Sequence, residues 1–458
     1  MRADNPRYHG KDQHRSEFLK GCFKKMKLHI DRSRIIGSIK PMNAVNNGPK
    51  YTDNADQNLT NLPAYRDAGI PFARTHDSSI DYSLGGEHTV DVICIFPDFD
   101  ADPYDPASYD FAITDEYLRH IEMCGTKVFY RLGNKIEHWS KKYGILPPKD
   151  FKKWAVICEH IIAHYNEGWA DGFHMEIEYW EIWNEPDLYG KCWLGTPEQF
   201  YELYAVASKH LKERFPDLKI GGPAVCGYNE GWLRPFFAKI RDEKLPLDFY
   251  SWHIYAPNVA DICRNIRQHR ALLDEYGLVN TESILDEWNY VRSFSGEEWR
   301  YSLEKIIGIK GAAFTAAVMS AAQKEPVDML MYYDARLSSG MNCLFENQTC
   351  GIRKGYHVIK AWGDMLKLGG ECETVCDVPD IYAASAVNDG EFIAMITFFT
   401  DDDSAVPRTF EVELDGEDRL YTICLLDETH DLVPVRTVAS DHGRFSLTME
   451  ANTVVVIK

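Results

Sequence analysis

Two stretches of this chain end a run of β-forming residues in a carboxylate. One reads Tyr179-Trp180-Glu181-Ile182-Trp183-Asn184-Glu185-Pro186, the other Ile284-Leu285-Asp286-Glu287-Trp288-Asn289. Two carboxyl groups facing one sugar are what cleavage of a glycosidic bond needs. One stays protonated and gives its proton to the leaving oxygen; the other is ionised and attacks or stabilises the anomeric carbon. The neighbours divide the roles. Pro186 forces a turn after Glu185 and presents its side chain above the strand end. Asn184 offers an amide to a substrate hydroxyl. Arg74, closing another β-type run, can hold Glu287 ionised and its pKa low, whereas Glu185, desolvated by substrate and facing a negative Glu287, is expected to have a raised pKa. Asp286 reads as structural, because neighbouring residues of a strand point to opposite faces.

The elements that must position these groups alternate along the chain. Strand-like runs are Ile39–Asn46, Pro71–Arg74, Lys127–Arg131, Tyr179–Asn184, Lys219–Gly222, Phe249–Ile254, Ser283–Glu287 and Met329–Tyr333. Between them lie helical patterns. Thr114 is placed to cap a helix carrying Leu118, Ile121 and Cys124 that stops at Gly125. Thr196-Pro197-Glu198-Gln199 is a capping box with proline at the first helical position, followed by Phe200, Leu203, Tyr204, Ala207 and Leu211 at helical spacing. Eight strands in series with intervening helices predict an α/β fold, a closed (β/α)8 TIM barrel. Glu185 and Glu287 are 102 residues apart, three units of 34. Barrel units run to about 31 residues, so the two fall on strands four and seven, at the C-terminal mouth where barrel active sites lie.

Past Gly369-Gly370 the texture changes. Residues 371–458 carry 19 acidic side chains against five basic ones, and alternation replaces helical spacing. Arg408–Leu414, Arg444–Met449, Glu391–Phe399, Leu420–Leu425 and Thr453–Ile457 predict an antiparallel β-sandwich, to which Leu28 and Ile30 can add a strand. The run Asp401-Asp402-Asp403 reads as a solvated turn. The division is then a flexible arm over 1–27, a strand over 28–38 contributed to the sandwich, a catalytic barrel over 39–370 and the sandwich over 371–458.

Composition narrows the partners. Of 458 residues, 70 are acidic and 50 basic, a net charge of −20 that repels a phosphate backbone, so nucleic acid is not expected. No stretch approaches ~20 consecutive apolar residues, so no membrane span is expected. The first 27 residues carry eight Lys/Arg and no apolar core of a secretory signal. Twelve scattered cysteines with no C-x-x-C pair point to a reducing, cytoplasmic setting. No G-x-G-x-x-G follows a strand and no phosphate-binding P-loop occurs, so no cofactor is expected; His160 and His164, a helical turn apart but lacking the intervening Glu of a zinc-protease helix, read as structural and no metal site is assigned. Trp183, Trp193, Trp252 and Trp288 either stack on sugar faces or fill the core.

The run Glu181-Ile182-Trp183-Asn184-Glu185-Pro186-Asp187-Leu188, then Trp193-Leu194-Gly195-Thr196-Pro197-Glu198-Gln199-Phe200-Tyr201, resembles glycoside hydrolase family 39, the family of β-xylosidases and α-L-iduronidases within the clan of retaining (β/α)8 glycosidases. Arg74 and Asp286-Glu287-Trp288-Asn289 fall in the same order. The likeness covers roughly residues 28–370 plus the flanking sandwich. It implies Glu185 as acid/base, Glu287 as nucleophile, Asn184 as the 2-hydroxyl contact and Arg74 as the residue that orients Glu287. It implies that His253 and Tyr255 border the nucleophile and that His76 and Asp77 contact the sugar in the −1 subsite; of the four tryptophans, Trp288, beside Glu287, is counted among the substrate-binding residues. Strand eight departs from the β-xylosidases: it reads Met331-Tyr332-Tyr333-Asp334-Ala335-Arg336, so Tyr333 replaces the usual Trp floor, and Arg336 can face a uronate. The expected function is a retaining exo-glycosidase of β-xylosidase type acting on an oligosaccharide or glycoside. Iduronidase, arabinosidase or galactosidase specificity, transglycosylation, and a non-catalytic carbohydrate-binding barrel are the alternatives. The oligomeric state stays open, a homo-oligomer included.

Overall fold

The structure, a computed structural model, describes residues 26–51, 59–79, 88–414 and 418–458. Eight parallel strands close into a barrel: β2 (Ala44–Asn46), β3 (Phe72–Thr75), β4 (Lys127–Leu132), β5 (Tyr179–Ile182), β6 (Lys219–Val225), β7 (Phe249–Ala256), β8 (Glu282–Tyr290) and β9 (Met329–Tyr332). All eight expected runs are strands, and the expected fold class holds. The first is shorter than expected, because Pro41 lacks an N–H and Met42 turns back onto the Lys40 carbonyl before Ala44.

Period-two alternation sorts the barrel interior into layers. Ala44, Phe129, Tyr179, Phe249, Ile284, Met329 and Met331 fill the lower part as one apolar cluster. One step further along β2, β3, β5 and β7 lie Asn46, Arg74, Glu181 and Ser251, all buried. A polar floor therefore sits on an apolar plug, and the C-terminal strand ends stand above it.

The capping box is present as expected: Thr196 Oγ1 accepts from the Gln199 N–H and the Gln199 side chain returns a bond to the Thr196 N–H, opening the helix Pro197–Arg214. Thr114 is not a cap. The helix begins at Ala112, and Thr114 instead donates its hydroxyl to the Thr89 carbonyl at 2.7 Å. Gly125, in a left-handed conformation, ends the turn as expected.

Outside the barrel, β1 (Lys27–Ser38), β10 (Gly370–Cys376), β11 (Ile381–Asn388), β12 (Glu391–Phe398), β13 (Arg408–Leu414), β14 (Leu420–Leu426), β15 (Asp431–Ala439), β16 (Arg444–Met449) and β17 (Thr453–Ile457) form one continuous nine-stranded sheet. It is mostly antiparallel, with β1 parallel to β13. Leu28 and Ile30 are fully buried in it. Lys27, assigned to the arm by sequence, pairs with Glu411 and belongs to β1; residues 1–25 lie outside the described residues. The sheet is two-faced: on β12 and β17, Ala394, Ile396, Val455 and Ile457 face its own core, while Met395, Val454 and Val456 join the barrel's core. The helix Ile309–Ala322, with thirteen of fourteen residues buried, belongs to that shared core. Among the described residues no single helix is long and apolar enough to cross a membrane.

Candidate active site

The perch of Glu185 is made by backbone. Gly133 ends β4 at φ +139°, and a Cβ there would stand 2.9 Å from Trp183 Cα; Gly222 in β6 sits at φ +127°, and its Cβ would stand 2.8 Å from the Ile182 carbonyl oxygen. Only glycine permits this approach from both sides. The chain beyond β5 is then tied left and right. Trp183 N–H donates to the Leu132 carbonyl at 2.6 Å and Glu185 N–H to the Ala224 carbonyl at 2.8 Å. Trp183 and Glu185 themselves adopt positive φ, +78° and +48°, a strained conformation of the kind that collects at functional sites.

Glu287 is delivered by a bulge. The register of β7 with β8 runs Trp252 to Leu285 and then His253 to Glu287, skipping Asp286. The alternation that would turn Asp286 away is broken there. Asp286 and Glu287 both reach Arg74, at 3.1 and 2.8 Å, so Asp286 is part of the polar floor rather than a residue of the outer face.

Arg74 organises that floor. Fully buried, it contacts Glu181 at 2.7 Å, Asn46 at 3.0 Å and the Asn184 carbonyl oxygen at 2.7 Å besides Glu287. Burial would raise the Glu181 carboxyl, but the guanidinium together with hydrogen bonds from Asp286 and Ser251 holds Glu181 below its ordinary range. Asp286, raised well above its range by burial and by the Glu181 charge, is the protonated member of the pair. Glu287 accepts a bond from the Tyr255 hydroxyl at 2.8 Å, and His76 Nε2 lies 3.7 Å away. Burial would depress His76, but Asp77 at 3.1 Å and Glu287 together raise it.

Glu185 has different company. His253 Nδ1 lies 2.9 Å from its Oε1, and the Cys192 thiol donates to Oε2 at 3.4 Å. Burial pushes His253 down to about 4, so it is neutral at neutral pH. Burial also raises Glu185, against the pull of the Cys192 thiol and the more distant cations. One carboxylate thus sits on the Arg74 guanidinium and the other beside the neutral His253 and a thiol. One oxygen of each glutamate and His253 Nδ1 fall within 4.8 Å of one another. That trio is dense enough to hold a cation; a second such group, Asp418, Asp441 and His442, is fully exposed.

The carboxylates open into a cavity of about 670 Å³ that Asn184, Tyr255, His76 and Tyr333 also line. A second lobe of about 350 Å³ adjoins it across His76 and Tyr333 and is walled by Asp77 and Arg336. Seven of the ten expected site residues line one lobe or the other, and Arg74 lies beneath them, fully buried. His253 lies beneath, fully buried, touching both glutamates. Trp288 departs from expectation: one residue past Glu287, it points to the opposite side and packs on Phe314 and Tyr332 with no exposure. Trp183, Trp193 and Trp252 are core residues as well. His164 bonds Asp115 and the Trp169 carbonyl, and His160 the Val156 carbonyl, as structural histidines.

Sequence reasoning missed Glu181, Cys192, Phe294 and Trp299. Glu181 was accessible, since it shares strand parity with the inward Tyr179. Phe294 and Trp299 lie just beyond the seventh barrel strand, Phe294 in the loop at the barrel mouth and Trp299 in the first turn of the helix Gly296–Ile306 that follows. Nothing local marks Cys192.

A closed parallel barrel whose fourth and seventh strands bring two glutamates together at the mouth defines the class, a (β/α)8 barrel of glycoside-hydrolase type. The description Glycosyl hydrolases family 39 matches residues 27–348, and the chain belongs to that family. It is 28% identical over 168 residues to a beta-xylosidase of Geobacillus stearothermophilus, 36% of this chain and 30% of that one. It is 32% identical over 143 residues to a beta-xylosidase of Caldicellulosiruptor saccharolyticus, 30% of this chain and 25% of that one. Both matches thus span less than a third of the relatives' own length. Among solved structures, a glucosidase from Croceicoccus marinus superposes with TM-score 0.77 at 21% identity, covering 94% of this chain and 98% of that one.

Proposed function

We propose that the protein is a retaining exo-glycosidase of β-xylosidase type, with Glu185 as acid/base and Glu287 as nucleophile. The observation that carries this reading is the pairing of the two carboxylates within 4.8 Å in opposite electrostatic settings. So close an approach of one oxygen from each group favours the short carboxyl separation of double displacement, ~5–5.5 Å, over the ~6.5–9.5 Å that leaves room for water in an inverting enzyme. Glu287, held by Arg74 at 2.8 Å and by the Tyr255 hydroxyl at 2.8 Å, is the group placed to attack the anomeric carbon. Glu185, raised by burial, keeps its proton for the leaving oxygen. Attack turns Glu287 into an uncharged ester, so a neighbouring negative charge is lost and the pKa of Glu185 falls. The same group then takes a proton from water, and hydrolysis of the ester releases the sugar. With the Asn184 carbonyl oxygen held by Arg74, its NH2 is free to bond the hydroxyl beside the anomeric carbon. The substrate is an oligosaccharide or glycoside, and the eleven free cysteines described here favour a reducing, cytoplasmic setting.

Azide rescue tests the roles. Glu287→Gly with azide should give the glycosyl azide of inverted configuration and Glu185→Ala the retained one; the same stereochemistry from both would overturn the assignment. Glu185→Gln should lower kcat on a poor leaving group by about 10²–10⁴-fold. A panel of aryl β-xyloside, β-glucoside, β-galactoside, α-L-arabinoside and α-L-iduronide identifies the sugar. No turnover of any member would leave the carbohydrate-binding alternative.

A further inference from the structure

The cavity has two sides, and only one contains the proton donor. The lobe walled by Asp77 and Arg336 touches neither glutamate, whereas Phe294 and Trp299 line the lobe that holds Glu185 and Glu287. A leaving group is protonated by Glu185 and so departs on this second side. Phe294 is 60% exposed. Its ring lies 5.3 Å from that of Trp299 at a tilt of 36°, and packs edge-on against Tyr255 at 5.2 Å. Tyr255 in turn donates to Glu287. An aromatic surface is thus joined directly to the nucleophile's own support.

The segment bearing these rings is held from outside the barrel. Arg292 donates to both carboxylate oxygens of Asp401 at 3.0 Å, and Tyr290 donates to the same group. Tyr301 donates to Asp403 at 2.5 Å, and the buried Lys310 contacts Asp403 at 2.8 Å and the Asp401 carboxylate at 3.2 Å. Asp401 and Asp403 lie between β12 and β13 of the nine-stranded sheet. The acidic run that the sequence presented as a solvated turn is therefore a bracket. It grips residues on either side of Phe294 and Trp299.

We propose that Phe294 and Trp299 form the leaving-group subsite, stacking on the apolar face of a sugar or on an aryl ring, and that Asp401 is a positioning residue acting through Arg292. The proposal rests on the hydrolase reading above. It extends that reading by giving the outer sheet a part in substrate choice.

The test compares two substrates of the sugar selected by the aryl glycoside panel. The glycosyl fluoride leaves nothing to stack, whereas the disaccharide must seat its second ring. The readout is the ratio of kcat/KM for disaccharide over fluoride. Phe294→Ala and Trp299→Ala should lower it at least fivefold, and Asp401→Asn at least threefold with the loss mainly in KM for the disaccharide. Phe294→Tyr, which keeps the ring, should recover most of the ratio. A ratio within twofold of wild type in both alanine variants would overturn the platform. An unchanged ratio in Asp401→Asn, with thermal melts showing a folded protein, would overturn the sheet's part in it. A wild type that turns over neither substrate would instead remove the hydrolase reading, and the subsite with it.

Discussion

Burial raises the pKa of Glu185, and the Cys192 thiol, the nearest of the groups that work the other way, is the one in direct contact. The S–H of Cys192 points at Oε2 and stabilises the ionised carboxylate. The thiol is held in place because the Cys192 carbonyl accepts from the Trp183 indole at 2.9 Å and its N–H bonds the Leu188 carbonyl at 3.0 Å. Cys192→Ala removes the donor without touching either carboxylate. The ionised form of Glu185 is then less favoured, so its proton is kept to higher pH. The alkaline limb of the kcat/KM profile, which reports loss of the acid, is expected to move upward. A limb that stays in place or moves down would show that the thiol does not tune the group.

At the scale of elements, the short strand β5 carries its glutamate beyond its own last residue. What orients Glu185 is the pair of neighbours that close on the chain after Ile182. Gly222 is the tightest point of that closure. Gly222→Ala places a methyl group against the Ile182 carbonyl in a backbone conformation that an L-residue rarely adopts. The expected cost is about 1–3 kcal/mol, seen as a drop of several degrees in Tm, with kcat falling because Glu185 is bonded to Ala224 two residues on. A variant with wild-type Tm and wild-type kcat would contradict this account of the perch. The bulge at Asp286 does the matching work on β8. It turns two consecutive acids inward, so that one shares a proton with Glu181 beneath while the other faces the cavity.

At the scale of the whole molecule, barrel and sheet share one core. The helix Ile309–Ala322 presents Phe314 to Trp288 on one side and to Phe399 on another, and Met395 and Val456 of the sheet extend the same cluster. Two units joined in this way should unfold together. Calorimetry on the intact chain is expected to give one transition. Removing residues 371–458 would leave an almost wholly apolar helix surface in water, and the remaining chain should aggregate or bind a hydrophobic dye. A soluble, cooperatively melting fragment lacking the sheet would refute this.

The sequence alone determined what depends on short-range rules. Eight strands, the Thr196 capping box and the two glutamates 102 residues apart all follow from periodicity, cap chemistry and the regular length of β/α units. Only the tertiary structure decided the rest. The bulge that turns Asp286 inward, the side of β8 on which Trp288 falls, the thiol behind Glu185 and the grip of Asp401 on the cavity's aromatic rim each depend on partners remote in sequence or on one extra residue in a register. Alternation is a property of a single strand, but whether it survives at a given position is set by the neighbouring strands, and no local pattern contains them.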